Sequence, residues 1–196
     1  MLATRGMDVS MVSEGWSVEP KLDGWRCLVQ VDGDVRAWTR RGRSISESVQ
    51  HLARIEALAG RTALFDGELI FAAGRAEDFY RLHGALGRHH GDVTFAVFDV
   101  LSIDGRSTIA LPYLERREIL EGLGLSGQGW FTVPRFGVSA DEVLPACERL
   151  GIEGVMAKRL NSVYRPGARS RQWLKFKTAM WKAHHAPRRH EHHGTG

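Results

Sequence analysis

An α+β fold is what this sequence predicts, and three observations carry the prediction. Strand-like segments arrive in hairpin runs: Trp16–Pro20, then Arg26–Asp32, then an Asp32-Gly33-Asp34 turn into Val35–Thr39. The most apolar stretches, Thr62–Ala72 and Val93–Leu101, are β-rich. Helical periodicity is confined to scattered segments, without the regular βαβ alternation of a doubly wound fold. Antiparallel sheets flanked by helices follow.

The elements can be justified in order. Ser46–Leu58 carries Val49, Leu52, Ile55 and Leu58 near helical spacing, with Ser46 as N-cap, and predicts a helix. Thr62–Ala72 predicts a strand interrupted by Asp66-Gly67-Glu68. Glu77–Leu86 predicts a short helix, and Val93–Leu101 a buried strand. Leu114–Leu123 and Ala140–Leu150 predict helices, the second capped by Ser139. Gly154–Arg159 and Gln172–Lys177 predict strands. Gly122–Gly127 formally matches GxGxxG, but it follows a helix and opens none, so it is not a dinucleotide loop. Periodicity ends at Thr178, so residues 178–196 are expected to form a basic, His-rich, disordered tail.

Composition bounds the function. At 196 residues with 43% apolar and 26% charged side chains, the chain suits one packed domain, or one plus a tail. No apolar run approaches the ~18 residues of a membrane span, and Met1–Ser10 has no signal-peptide core. Two cysteines, Cys27 and Cys147, make neither a disulfide framework nor a metal motif. A reduced, cytoplasmic, monomeric protein away from membranes is the expectation. The net charge of +4 conceals an asymmetry: residues 158–196 balance at +9 and residues 1–157 at −5. One end is built to meet a polyanion.

Five segments place charge where a strand would not ordinarily hold it. Glu19-Pro20-Lys21-Leu22-Asp23-Gly24-Trp25-Arg26 puts a lysine between two acids in what reads as a loop after a strand. Asp66 and Glu68 interrupt an apolar strand, and Asp99 follows Phe98 inside a buried one. Carboxylates enter such positions when they are paired or metal-bound. Glu153-Gly154-Val155-Met156-Ala157-Lys158 is the fourth segment. Trp173-Leu174-Lys175-Phe176-Lys177 is the fifth, with two lysines on one strand face. His89-His90 and the histidines of the tail have no partners at metal spacing and read as solvated.

In this order and spacing the segments resemble the motifs of the ATP-dependent DNA ligases, within the covalent nucleotidyltransferases. The shared motifs are KxDGxR at Lys21–Arg26, the strand end Thr39-Arg40-Arg41-Gly42, Asp66-Gly67-Glu68, the Phe98-Asp99 strand, EGVMAK at Glu153–Lys158, and WLKFK at Trp173–Lys177. The resemblance covers Met1 to Lys177 and implies the DNA ligase/mRNA-capping nucleotidyltransferase (adenylation) fold. That fold has two antiparallel sheets flanked by helices, with the ATP site between them.

The resemblance also implies roles. Lys21 would attack the α-phosphate of ATP, expel pyrophosphate and form lysyl-AMP. A free lysine with pKa ~10.4 is a weak nucleophile near neutrality, and nearby cations such as Lys175 and Lys177 would make its free amine available. Glu19 would help read the adenine, Phe98 would stack on it, and Arg26 and Arg40 (with Arg41 as alternative) would hold ribose or phosphate. Arg169, Lys175 and Lys177 would meet the phosphates. Glu68 would lie near ribose or metal, and Glu153 near metal, because hard oxygens suit Mg²⁺ (or Mn²⁺). Asp23, Asp66, Asp99 and Lys158 would shape the site. The partner is nicked double-stranded DNA. Relatives of this kind continue into an OB-fold domain, whereas only 19 residues follow Lys177, so a stand-alone adenylation domain is expected, with a separate protein as one candidate source of the OB-fold. The alternatives are a non-catalytic DNA-binding relic and an RNA ligase or GTP-dependent capping enzyme.

Overall fold

The computed structural model describes residues 1–53, 55–86, 92–127 and 129–184. His89, His90 and the histidines after His184 lie outside the described residues. Eleven strands are described: β1 (Leu2–Arg5), β2 (Trp16–Lys21), β3 (Trp25–Asp32), β4 (Asp34–Thr39), β5 (Thr62–Phe71), β6 (Val93–Ile103), β7 (Arg106–Ser107), β8 (Ser126–Gly127), β9 (Trp130–Thr132), β10 (Gly154–Arg159) and β11 (Arg169–Lys177). Four α-helices accompany them: α1 (Phe79–Leu86), α2 (Tyr113–Gly122), α3 (Ala140–Arg149) and α4 (Ala179–His184).

The strands form two sheets. The smaller runs β1-β11-β10-β2 and the larger β4-β3-β5-β6-β9-β8, with β7 on β6. Most pairs are antiparallel, as expected. Each sheet nevertheless holds one parallel pair, β1 with β11 and β6 with β9. Both pairs join segments remote in sequence, where no hairpin dictates direction.

Alternation along β3, β4 and β5 buries one face of the larger sheet. Val29, Val35, Ala37, Phe65 and Phe95 pack there with Leu52, Leu82 and Trp130 into the largest core. A second core lies under α3, where Val18, Val155 and Phe176 of the smaller sheet meet Val143 and Cys147. The N–H and hydroxyl of Ser139 both donate to Glu142, which fixes the start of α3. A third cluster joins the inner faces of the two sheets through Met1, Leu101, Tyr164 and Trp173.

Three expectations are corrected. Residues 46–58 form no α-helix: Ser46–Ala53 and Glu56–Leu58 are 3₁₀ segments, and Val49 sits at a kink in the first. The Ser46 hydroxyl accepts the Ala37 N–H from β4 instead of capping a helix. Lys21 ends strand β2 and does not stand in a loop. The chain after Thr178 continues as α4, where the Trp181 N–H donates to the Thr178 hydroxyl.

Candidate active site

The register of three strands assembles the site. Gly154 on β10 stands opposite Lys21 on β2 and Lys177 on β11. Met156 stands opposite Glu19 and Lys175, and Lys158 opposite Ser17 and Trp173. Because side chains alternate with period two, Glu19, Lys21, Lys158, Lys175 and Lys177 share one face. That face looks across a cleft at the larger sheet, which contributes Arg26, Arg40, Glu68 and Phe98. Leu2, Ala3 and Arg169 close the side.

Glu153 sits just before β10 and is only 3% exposed. Its Oε2 accepts from the Lys21 Nζ, and its Oε1 is 2.7 Å from the Lys177 Nζ. Lys177 also lies 3.0 Å from the Trp181 ring centroid. Lys177 and Glu153 do not line the cleft themselves, whereas Lys175 does. Burial, then the charges of Lys21 and Lys177, hold the Lys175 ammonium below its ordinary pKa. Cations therefore crowd this corner, but the group in direct contact with Lys21 is a carboxylate.

A second knot surrounds Glu19, which is 2% exposed. Its Oε1 accepts from the Tyr113 hydroxyl, its Oε2 is 2.7 Å from the Lys158 Nζ, and Arg117 Nη1 lies 3.9 Å from Oε1. Arg117 is tied in turn to Glu121 at 3.0 Å, and Glu121 to Arg135 at 2.7 Å. The Lys158 ammonium lies 4.5 Å from the Phe98 ring and 4.4 Å from the Trp173 ring. Burial lowers its pKa, against the opposing pull of Glu19.

Phe98 reaches the cleft by alternation, on the face of Ala96 and opposite to core-facing Phe95 and Val97, and β6 is bulged beside it. Phe65 pairs with Val100, Asp66 with Asp99 and Gly67 with Val97, which leaves Phe98 as an extra residue. A bulge of this kind re-aims a side chain. Asp99 then turns to a bidentate pair with buried Arg116, at 2.7 and 2.8 Å. Asp66 accepts both ends of the Arg26 fork, at 2.9 and 2.5 Å, and the Tyr164 hydroxyl at 2.7 Å. Arg26 lies 5.4 Å from the Phe98 ring. Glu68 stands opposite Arg26 in the register. Burial pushes its carboxyl up to about 8, although Lys21 and Arg26 pull the other way.

Two motif glycines are required by close approach. A Cβ on Gly154 would stand 1.9 Å from the Phe176 carbonyl oxygen, and one on Gly24 would stand 2.1 Å from that of Leu69.

The sequence-predicted residues divide. Lys21, Glu19, Arg26, Arg40, Glu68, Phe98, Lys158, Arg169 and Lys175 line one cleft. Arg169 also donates to the Ala3 carbonyl at 2.5 Å. Arg41 is exposed and does not line the cleft, so Arg40 is the better of the two. Asp23 lies outside the cleft wall, and its N–H donates to the Gly74 carbonyl. Sequence reasoning missed Tyr113 and Arg117. Tyr113 lay just before the predicted helix Leu114–Leu123 and Arg117 within it, one turn apart, with nothing in the sequence to tie them to Glu19.

Comparison with known proteins places the chain in a family. The family model for the ATP dependent DNA ligase domain matches residues 1–177. The multifunctional non-homologous end joining protein LigD of Mycobacterium bovis is 36% identical over 180 residues, which cover 90% of this chain and 23% of that protein. A DNA ligase of Thermococcus fumicolans is 32% identical over 182 residues, covering 83% of this chain and 32% of that protein. The chain thus spans about a quarter to a third of these relatives. Among solved structures, mycobacterial DNA ligase D complexed with ATP and MES superposes with a TM-score of 0.76 at 32% identity, covering 90% of this chain and 59% of that one. The chain belongs to the ATP-dependent DNA ligase family and comprises its adenylation domain.

Proposed function

We propose that Lys21 attacks the α-phosphate of ATP, so that an N–P bond forms, the bond to the β-phosphate breaks and pyrophosphate leaves. The observation that carries this reading is the position of Lys21: it lines the cleft while Glu153 holds its amine and Lys175 stands nearby. Reaction of this kind is mostly positioning and charge stabilisation. Glu153 orients the Lys21 amine. Lys175, Lys177, Arg40 and Arg169 supply positive charge to the phosphates. Phe98 and Trp173 flank the base, and Glu19 reads its edge. Arg26, held by Asp66, meets the ribose.

A divalent cation fits the donor set. Among the described residues no group of three or more His, Cys, Asp or Glu side chains could hold a metal. Mg²⁺ asks for less, since it typically takes one or two carboxylates and completes its shell with water and phosphate oxygens. Glu68 is a carboxylate whose burial resists ionisation, a state that a cation relieves, whereas both oxygens of Glu153 are taken by Lys21 and Lys177. Mg²⁺ or Mn²⁺ bound there would neutralise phosphate charge.

The 5′-phosphate of nicked double-stranded DNA then attacks the lysyl-AMP, breaking the N–P bond and freeing Lys21, and attack by the 3′-hydroxyl on that activated 5′-phosphate forms the phosphodiester and expels AMP. The name of the mycobacterial relative suggests end-joining repair as the setting. A further domain, from this polypeptide or a separate protein, would complete the sealing enzyme. Among the described residues no helix is long and apolar enough to cross a membrane, and a cytoplasmic monomer is the proposed state. The test is intact mass after incubation with ATP and Mg²⁺. A gain of one AMP, absent in Lys21→Ala and after chelation, is expected. No covalent nucleotide with any divalent metal would leave a binding module as the reading, and labelling by GTP in preference to ATP would favour the capping class.

A further inference from the structure

One buried cation is not used by the proposed reaction. Arg117 stands on α2, is 1% exposed and does not line the cleft, yet its guanidinium reaches two of the cleft's walls. Its Nη2 donates to the Val133 carbonyl at 2.7 Å and to Glu121 Oε1 at 3.0 Å, and its Nη1 lies 3.9 Å from Glu19 Oε1. Val133 and Glu19 both line the cleft, and Val133 packs in one cluster with Leu22 and Phe98. A single planar, rigid group thus spaces the Glu19 carboxylate from the wall that carries Phe98.

The outer end of Arg117 is clamped. Arg135 donates to both oxygens of its partner Glu121, at 2.7 and 3.1 Å, which ties α2 to the chain just after β9. The inner end is not clamped. Among the described residues, Nε and Nη1 of Arg117 are buried and have no hydrogen-bond partner. A buried donor left unpaired costs free energy and calls for a reason. At 3.9 Å the approach to Glu19 is too long for a hydrogen bond, and a small shift of the carboxylate would close it. The other neighbours of Glu19, Tyr113 and Lys158, are donors as well. What Glu19 offers the cleft is therefore acceptor lone pairs.

We infer that Arg117 is a positioning residue for purine selection: it sets Glu19 against the Val133 and Phe98 wall, so that a base edge carrying an amino group is accepted and one carrying an oxo group is rejected. An amino hydrogen meets the Glu19 lone pairs. An oxo group puts oxygen against oxygen, and the Tyr113 and Lys158 donors are already spent on the carboxylate. The inference rests on the proposed ligase reading and deepens it, by adding a determinant that lies outside the cleft.

The test uses the whole chain as wild type, R117M, R117K and E121Q. ATP is compared with inosine triphosphate, which differs only at the six-position edge (oxo with N1–H in place of amino with bare N1). Gain of nucleoside monophosphate on the protein is followed by quenched intact mass across nucleotide concentration with Mg²⁺, and affinity by titration calorimetry. The wild type is expected to favour ATP by about a hundredfold in kcat/KM. R117M should lose about tenfold of that preference, through the KM for ATP more than through kcat. R117K keeps the charge without the fork and should recover part of it. E121Q loosens the outer clamp and should move the ratio the same way by about threefold. Equal slowing with both nucleotides at an unchanged ratio would make Arg117 a packing residue and overturn the inference, as would a wild type indifferent to the base. Where R117M does not fold, an unchanged ratio in E121Q overturns it instead. Failure of the wild type to gain any nucleotide overturns the ligase reading alone, and the calorimetric ratio of ATP to inosine triphosphate then still decides the role of Arg117.

Discussion

Lys21 and Lys177 share one carboxylate. They stand on the two strands that flank β10, each opposite Gly154, and Glu153 reaches both. Glu153→Gln keeps the size of the side chain but loses the charge that orients Lys21. Adenylation should slow about a hundredfold, the scale on which a displacement of ~1 Å acts in a reacting pair. Stopped-flow or quench measurement of AMP transfer to the protein checks this, and wild-type rates would refute it.

Gly154 itself tolerates no side chain. Gly154→Ala places a Cβ against the Phe176 carbonyl and must force β10 and β11 apart. A loss on the order of 3 kcal/mol in urea unfolding is expected, together with loss of adenylation. Unchanged stability would mean that the strands separate freely there.

Tyr113→Phe removes one hydrogen bond to Glu19 and little volume. Hydrogen bonds to charged groups contribute ~1.5–3 kcal/mol, so the loss should appear in the nucleotide pocket. A raised KM for ATP and weaker discrimination against GTP are expected, with a melting temperature lowered by a few degrees. Intact discrimination would separate Glu19 from base reading.

Arg116→Ala strands the buried carboxylate of Asp99, whose pKa is already raised by burial against the pull of Arg116. A cost of ~3–5 kcal/mol is expected, and Asp99→Asn combined with Arg116→Met should recover part of it. Equilibrium denaturation of the three chains measures this directly.

Cys27 and Cys147 are both buried, and burial raises the pKa of each thiol. Neither should react with a disulfide reagent in the native protein at neutral pH, and both should react in denaturant. Rapid native labelling would contradict the packing at either site.

The sequence by itself determined the chemistry-bearing residues. Lys21, Glu68, Lys158 and Lys175 were legible because charge stands out in or beside an apolar strand, and Phe98 and Arg169 through the resemblance to the family. A charged group in an apolar run is unfavourable unless something compensates it, so the exceptions mark the site. The α+β class and most strands were legible for a similar reason, since period-two alternation is a local property. Only the tertiary structure decided the rest. The two parallel pairings join distant segments, and no local rule sets their direction. Residues 46–58 show helical spacing, but the backbone of β4 claims Ser46 and the coil tightens into 3₁₀ turns. Glu153 read as a metal ligand until strand register put it between two lysines. Tyr113 and Arg117 carried no signal until α2 set them against Glu19. Arg40 was preferred to Arg41 in the chain, and the turn after β4 puts Arg40, not Arg41, on the cleft wall. Alternation is written along the chain, whereas register and partnership are settled only when one element meets another.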